Sequence, residues 1–183
     1  LYTMGYLVKL FRKGARVLEP VFDDPELRVG AVTNPDGSCS VAVINWGAAK
    51  TVRITSAHPF AKPLRVYEYD SAKPPMNAFN DLQPMKGVAV ATNGVFATTL
   101  PSRAMAFFTT DYTDRTPPSV TGVKLGGDGA LVWNTSADSD HVYYRVYRDG
   151  EQIASTVATR LDVKGAKGVY AVRSVDRWGN VSE

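Results

Sequence analysis

After Gly14 the apolar pattern of this chain changes period once and never changes back. Before it, Leu1, Met4, Leu7, Val8 and Phe11 recur at helical spacing. Tyr6 and Leu10 widen the apolar face, Arg12 and Lys13 suit the C-terminal end of the helix dipole, and Gly14 supplies a stop. After it come "ARVLEP", "LRVGAVTN", "SCSVAVINW", "KTVRITS", "PLRVYEYD", "GVAVATNG", "VFATTLP" and "RAMAFFTTD". These segments are short, rich in β-branched and aromatic residues, and bounded by turn formers such as Asn-Pro-Asp-Gly and Asn-Gly. About eight strands at such close spacing predict an antiparallel β-sandwich over residues 15–112. The stretch 71–85 is too polar and proline-rich for a strand and reads as a surface loop.

Thr116-Pro117-Pro118 follows the eighth segment. Proline fixes its own φ and biases the preceding residue toward extended geometry, so residues 113–118 read as a stiff linker to a second module, 119–183. In that module Leu131 and Trp133 alternate on one strand, and Val142, Tyr144 and Val146 on the next. Asp149-Gly150 supplies a two-residue hairpin turn, and Tyr170 and Val172 begin another core strand. Strands are predicted over 119–126, 129–136, 142–149, 151–158, 159–164 and 168–176, with a last one beginning at Asn180. The fold class is therefore mainly β, two antiparallel β-sandwich domains with one N-terminal helix. The helix at 1–14 has no capping residue before Leu1, and the last strand stops early at Glu183; the expectation is a piece of a longer protein.

Composition removes several functions. Of 183 residues, 44% are hydrophobic and 21% charged, which is ordinary for a globular chain. The formal charge of +3 is spread thinly, without the basic cluster that would neutralise a phosphate backbone, so no nucleic-acid partner is expected. No apolar stretch approaches a membrane span, and the opening segment carries its charges on the wrong side for a signal peptide. Cys39 is the single cysteine and reads as a small core residue; His58 and His141 are too few for a histidine metal site. The acidic runs "FDDPE" and "SADSDH" could offer oxygens to calcium but lack the spacing of a known loop, so they read as solvated turns and no metal is expected.

The order "VAVINWGAAKTVRI", a tyrosine-rich strand, then "GVFATTLPSRAMAFFTTD" is similar to the small β-sandwich that follows the (β/α)8 barrel in many glycoside hydrolases. That resemblance implies that the helix at 1–14 is the end of an upstream barrel and that 15–112 is an accessory sandwich. "ALVWNTSADSDHVYYRVYRDGEQIAST" and "GVYAVRSVDRWGNVSE" resemble the fibronectin type III modules of bacterial secreted enzymes: a Trp strand, a Tyr-Arg-Val-Tyr-Arg-Asp-Gly hairpin, and a Tyr-x-Val-x-x-Val-Asp-x-x-Gly-Asn turn. In such sandwiches a tyrosine at the place of Tyr170 forms a corner, its hydroxyl bonded to the backbone.

The resemblance implies non-catalytic C-terminal modules of a secreted, periplasmic or surface glycoside hydrolase, bracing the catalytic barrel and serving as spacer or docking unit. No residue pair reads as catalytic, because the acids Asp23, Asp24, Asp36, Asp70, Asp81, Asp138 and Asp140 sit in turns and should stay ionised. "LGGDGA" lacks the helix and Lys-Ser/Thr of a phosphate loop, and no cofactor is expected. The alternatives are a carbohydrate-binding module or an adhesion or surface ectodomain. The former would rest on Trp178, in the Arg-Trp-Gly-Asn turn, and next on Trp46; Trp133 falls on a core position. Expected partners are the upstream catalytic domain and polysaccharide, with self-association through helix 1–14. On this reading Leu1, Met4, Leu7, Val8 and Phe11 meet the sandwich, Tyr2, Tyr6 or Leu10 faces outward, and the helix is dispensable for folding.

Overall fold

A strand that is apolar along its whole length must be covered on both faces, and "AMAFFT" is such a strand: every residue of Ala104–Thr109 is buried. The computed structural model describes residues 2–72, 79, 87–113 and 115–183, with Tyr2 and Thr3 described by backbone alone. These divide into two compact units, the first comprising 2–72 and 87–112 and the second 113–183 together with Phe79. The predicted loop at 71–85 lies, but for Ser71, Ala72 and Phe79, outside the described residues, as do Leu1 and Asp81.

The first unit contains α1 (Tyr2–Leu10), β1 (Arg16–Leu18), β2 (Leu27–Thr33), β3 (Cys39–Asn45), β4 (Lys50–Thr55), β5 (Leu64–Asp70), β6 (Gly87–Ala89), β7 (Val95–Leu100) and β8 (Ala104–Thr109). Each of the eight segments read from the sequence carries a strand. Six form one antiparallel sheet in the order β1-β2-β3-β8-β5-β6, and β4 pairs with β7 as a separate ribbon. Alternation sorts the side chains. Val41 and Val43 of β3 and Ala106 and Phe108 of β8 join Phe96 and Leu100 of the ribbon in one core. Ala42, Met105, Phe107 and the β5 residue Tyr67 point the other way and meet Tyr6 and Leu10 of α1. The layers are helix, six-stranded sheet and two-stranded ribbon, which accounts for a β8 buried at every position.

The helix meets the sheet by a face rotated from the one its spacing predicts: Leu7 and Phe11 pack against it as expected, but Tyr6 and Leu10 take the buried places expected of Met4 and Val8. Tyr6 and Leu10 are 2% and 0% exposed, whereas Met4 and Val8 are 59% and 72% exposed. Apolar residues occupy most of this helix's circumference, so periodicity could not choose a face. Ring packing does: the Tyr6 centroid is 5.2 Å from Tyr67 and 5.4 Å from Phe107. The C-terminus is closed from the β2–β3 turn by buried Asn34, whose Nδ2 donates to the Leu10 carbonyl at 3.1 Å and whose Oδ1 accepts from Arg12 N at 3.2 Å. This satisfies groups that a helix end leaves orphaned. Arg12 then binds Asp36 and, at 2.9 Å, buried Asp111, and Gly14 turns the chain at φ 83°.

The second unit has β9 (Lys124–Leu125), β10 (Ala130–Val132), β11 (His141–Arg148), β12 (Glu151–Thr156), β13 (Arg160–Asp162) and β14 (Tyr170–Asp176). They form two three-stranded sheets, β13-β10-β9 and β12-β11-β14. Leu131, Trp133, Tyr144, Val146 and Val172 make the core, with Trp133 edge-on to Tyr144 at 5.5 Å. Asp149 and Gly150 both take positive φ, 52° and 86°, as a two-residue hairpin turn requires. The Tyr170 hydroxyl donates to the Ala166 carbonyl at 2.6 Å, the expected corner bond. Two expectations fail. β9 and β10 are far shorter than 119–126 and 129–136, and Val142 is 49% exposed, because the β11–β14 register shifts between His141 and Tyr143 and breaks the alternation before Tyr144. Thr113 is held to this unit by Asn180 Nδ2 at 3.0 Å, and Pro117 is buried.

Candidate functional site

Where β3 ends, the chain places an exposed indole beside a cavity. Asn45, fully buried, donates through Nδ2 to the carbonyls of Ala48 at 2.8 Å and Pro101 at 2.9 Å, and its Oδ1 accepts from Gly47 N at 3.1 Å. Trp46 N donates to the Glu26 carbonyl at 2.9 Å, and Ser102 Oγ donates to the Gly47 carbonyl at 2.8 Å. A Cβ at Gly47 would lie 2.0 Å from Glu26 Oε2, so the Glu26 carboxylate, which binds Lys50, would have to move aside for any side chain there. The turn is thus fixed by a buried amide and its neighbours, and it holds Trp46 at 61% exposure. Beside it opens an apolar cavity of about 450 Å³, lined by Leu7 of α1, Ile44, Tyr69 and Met105, with Arg103 and Ser71 as polar members. Arg103 sits at φ 53°, in the left-handed region that a non-glycine residue enters at some cost.

An indole, a phenol ring and a guanidinium around an apolar hollow can hold a flat, partly apolar ring by stacking and hydrogen bonding. Among the described residues no acid lines this cavity, so they offer it no proton donor or nucleophile of the carboxylate kind. A second cavity, about 640 Å³, lies between the six-stranded sheet and the ribbon, bounded by Val41, Val43, Ile54 and Phe60. Cys39 lines it, and burial pushes its thiol pKa up. His58 lines the same cavity; His141 lies apart on β11, its Nδ1 2.8 Å from Ser174 Oγ and its pKa lowered by burial.

The three tryptophans do not fall in the order the sequence suggests. Trp178 is only 8% exposed, with the Arg177 guanidinium 4.6 Å from its ring, so the first candidate for sugar contact is packed away. Its turn folds inward because Asp176 Oδ1 accepts from both Trp178 N and Asn180 N at 2.8 Å. Trp133 is in the core as expected. Trp46, the second candidate, is the exposed one. Its position after the last alternating residue of β3 and before a glycine was the available sign that it lies outside the core.

The acids divide as well. Asp24 binds Lys50 Nζ at 2.8 Å, and that bond holds its carboxyl below the ordinary range; Asp36 binds Arg12. "SADSDH", read as a solvated turn, is not one. Asp138 is 7% and Asp176 4% exposed, and together with half-buried Asp140 they place one carboxylate oxygen each within 4.8 Å of one another. The β11–β14 pairing, His141 opposite Asp176, joins the two acidic segments, a register the sequence did not reveal. Burial first, then the neighbouring Asp140, raises the Asp138 pKa.

No family profile matches the chain, and no curated protein matches it. Its fold is similar to part of several solved structures. A GH30 endoxylanase from Clostridium papyrosolvens matches 59% of this chain at 22% identity with a TM-score of 0.50, and the match spans 26% of that chain. A glycoside hydrolase family 30 subfamily 8 xylanase from Clostridium acetobutylicum matches the same shares of each chain at 16% identity and a TM-score of 0.47. At these identities the likeness is one of fold. It is longer than the whole second unit, so it must reach into the first. No described helix is long and apolar enough to cross a membrane.

Proposed function

We propose that this chain is a non-catalytic part of a glycoside hydrolase that is secreted or held at the cell surface. The first unit braces a catalytic domain, and the second, fibronectin type III-like, acts as spacer or docking unit. The observation that carries the reading is the double-sided helix. Tyr6 and Leu10 complete the core of the first unit, while Met4 and Val8 on the other side present apolar surface that this unit does not need. A catalytic domain packed on that side would share the helix with the sheet. The fold likeness to a GH30 endoxylanase, of which this chain spans only 26%, supports the same arrangement. The sheet orders β13-β10-β9 and β12-β11-β14, with the Tyr170 corner, favour the fibronectin-like assignment.

The test is the coding sequence preceding Leu1 together with an activity assay. The reading requires an upstream barrel carrying two catalytic carboxylates, and a purified 183-residue chain that leaves xylan and aryl glycosides intact. An upstream sequence with no glycosidase domain, or turnover abolished by changing one Asp or Glu of this chain, refutes it. A second reading, direct contact with polysaccharide, is favoured by exposed Trp46 beside the cavity with Tyr69 and Arg103. Calorimetric titration with xylo-oligosaccharides decides it: heat lost on Trp46→Ala supports contact, and no heat with the unaltered chain refutes it.

A further inference from the structure

The carboxylates of Asp138, Asp140 and Asp176 converge from two separate segments, the loop entering β11 and the end of β14. Three like charges within 4.8 Å, two of them buried, repel one another in a medium that screens them poorly. Asp176 has a structural reason to be there. Its Oδ1 accepts two backbone N–H bonds, and its Oδ2 accepts from Asn180 Nδ2 at 2.6 Å. Asp138 has none. Its side chain is 2% exposed, and its Oδ1 accepts no hydrogen bond. The nearest cation, Arg115 Nη2, stands off at 3.8 Å on a side chain that is 65% exposed, beyond hydrogen-bond reach. A buried, unpaired carboxylate oxygen is costly unless something charged satisfies it.

We propose that the second unit binds a calcium ion between Asp138, Asp140 and Asp176. Hard oxygen ligands are what calcium takes, at 2.3–2.6 Å, so two ligands on opposite sides of one ion lie up to about 5 Å apart. Three oxygens within 4.8 Å of one another share a point no more than about 2.8 Å from each, so small side-chain rotations bring all three onto one ion with the backbone as it stands. Oδ2 of Asp176, which accepts only the bond from Asn180 Nδ2, keeps a lone pair for the ion, while Oδ1 is filled by its two bonds to the turn. The ion ties the β10–β11 loop to the end of β14, and its charge offsets the repulsion among the three carboxylates. Half-exposed Asp140 leaves a path for the ion and for water ligands. A site of this openness belongs with extracellular modules, at dissociation constants of about 10⁻⁴ to 10⁻³ M.

The experiment uses the whole chain, stripped with EDTA and titrated with CaCl₂ against MgCl₂ and NaCl at matched ionic strength. Backbone amide resonances are followed for His141, Arg177 and Trp178. Calcium should shift these amides saturably and raise the unfolding midpoint of the second unit by several degrees, more than magnesium does at the same concentration. Asp138→Asn and Asp140→Asn should weaken the affinity at least tenfold while leaving the ion-free midpoint unchanged or higher, because each removes a repelling charge. Amides that do not move with calcium overturn the proposal, as does an equal response to NaCl. So does an affinity that both substitutions leave intact. Should either variant fail to fold, the titration of the unaltered chain decides alone.

Discussion

Replacing Leu10 with alanine tests the seating of the helix most directly. Leu10 is fully buried among Ala42, Tyr67, Met105 and Phe107, so the change removes its core contacts and leaves a cavity beneath α1. Buried leucine-to-alanine changes cost about 2–5 kcal/mol, and a helix at the outside of a unit can settle inward, which favours the lower half, about 2–3 kcal/mol. For a unit of this size that is a fall of roughly 10–20 °C in its unfolding midpoint. Val8→Ala is the internal control. Val8 is 72% exposed, and alanine is the better helix former, so this change should be neutral or raise stability by about 0.5 kcal/mol. Differential scanning calorimetry on the whole chain, reading the transition that Leu10→Ala moves, gives both values. A Leu10→Ala variant within about 0.5 kcal/mol of the parent, beside a costly Val8→Ala, would refute the face assignment.

Asn34→Ala should cost about 2 kcal/mol by the same measurement, since it removes the bonds to Leu10 O, Arg12 N and Ser38 Oγ at once; a change under about 0.5 kcal/mol would show that the helix end is held elsewhere. Burial pushes the Tyr6 hydroxyl from its ordinary 10.0 to about 12. Above pH 10 the unfolded chain then gives up this proton while the folded one retains it, so the stability it contributes is present below pH 10 and lost as pH rises toward 12. Urea unfolding across that range should show the loss, and Tyr6→Phe should flatten it; an unchanged slope in the variant would mean that Tyr6 does not titrate so.

What was legible in the sequence is what period and turn chemistry encode. The eight strands of the first unit, the Asp149-Gly150 hairpin and the Trp133 core position all follow from alternation and from residues that tolerate positive φ. What failed needed partners distant along the chain. The face of α1 was decided by Tyr67 and Phe107, rings that no local pattern ties to Tyr6. Asp138 and Asp176 were separated by 37 intervening residues and joined only by the β11–β14 register. The exposure of Val142 came from a bulge whose residues are unremarkable in sequence. Trp46 and Trp178 changed places because a buried aspartate and a buried asparagine shape their turns, and neither polar residue advertises its burial.

The helix that seals β8 also sets where this fold can be joined to other genes. A join made at Gly14, where the apolar period changes, would strip Ala42, Tyr67, Met105 and Phe107 of their cover and leave a sheet wet on a face built to be dry. The codons for Tyr2–Leu10 must therefore travel with the strands through any shuffling or duplication that preserves the fold. Viable recombination points lie on the N-terminal side of the helix. Descendants of this module should carry the helix ahead of β1.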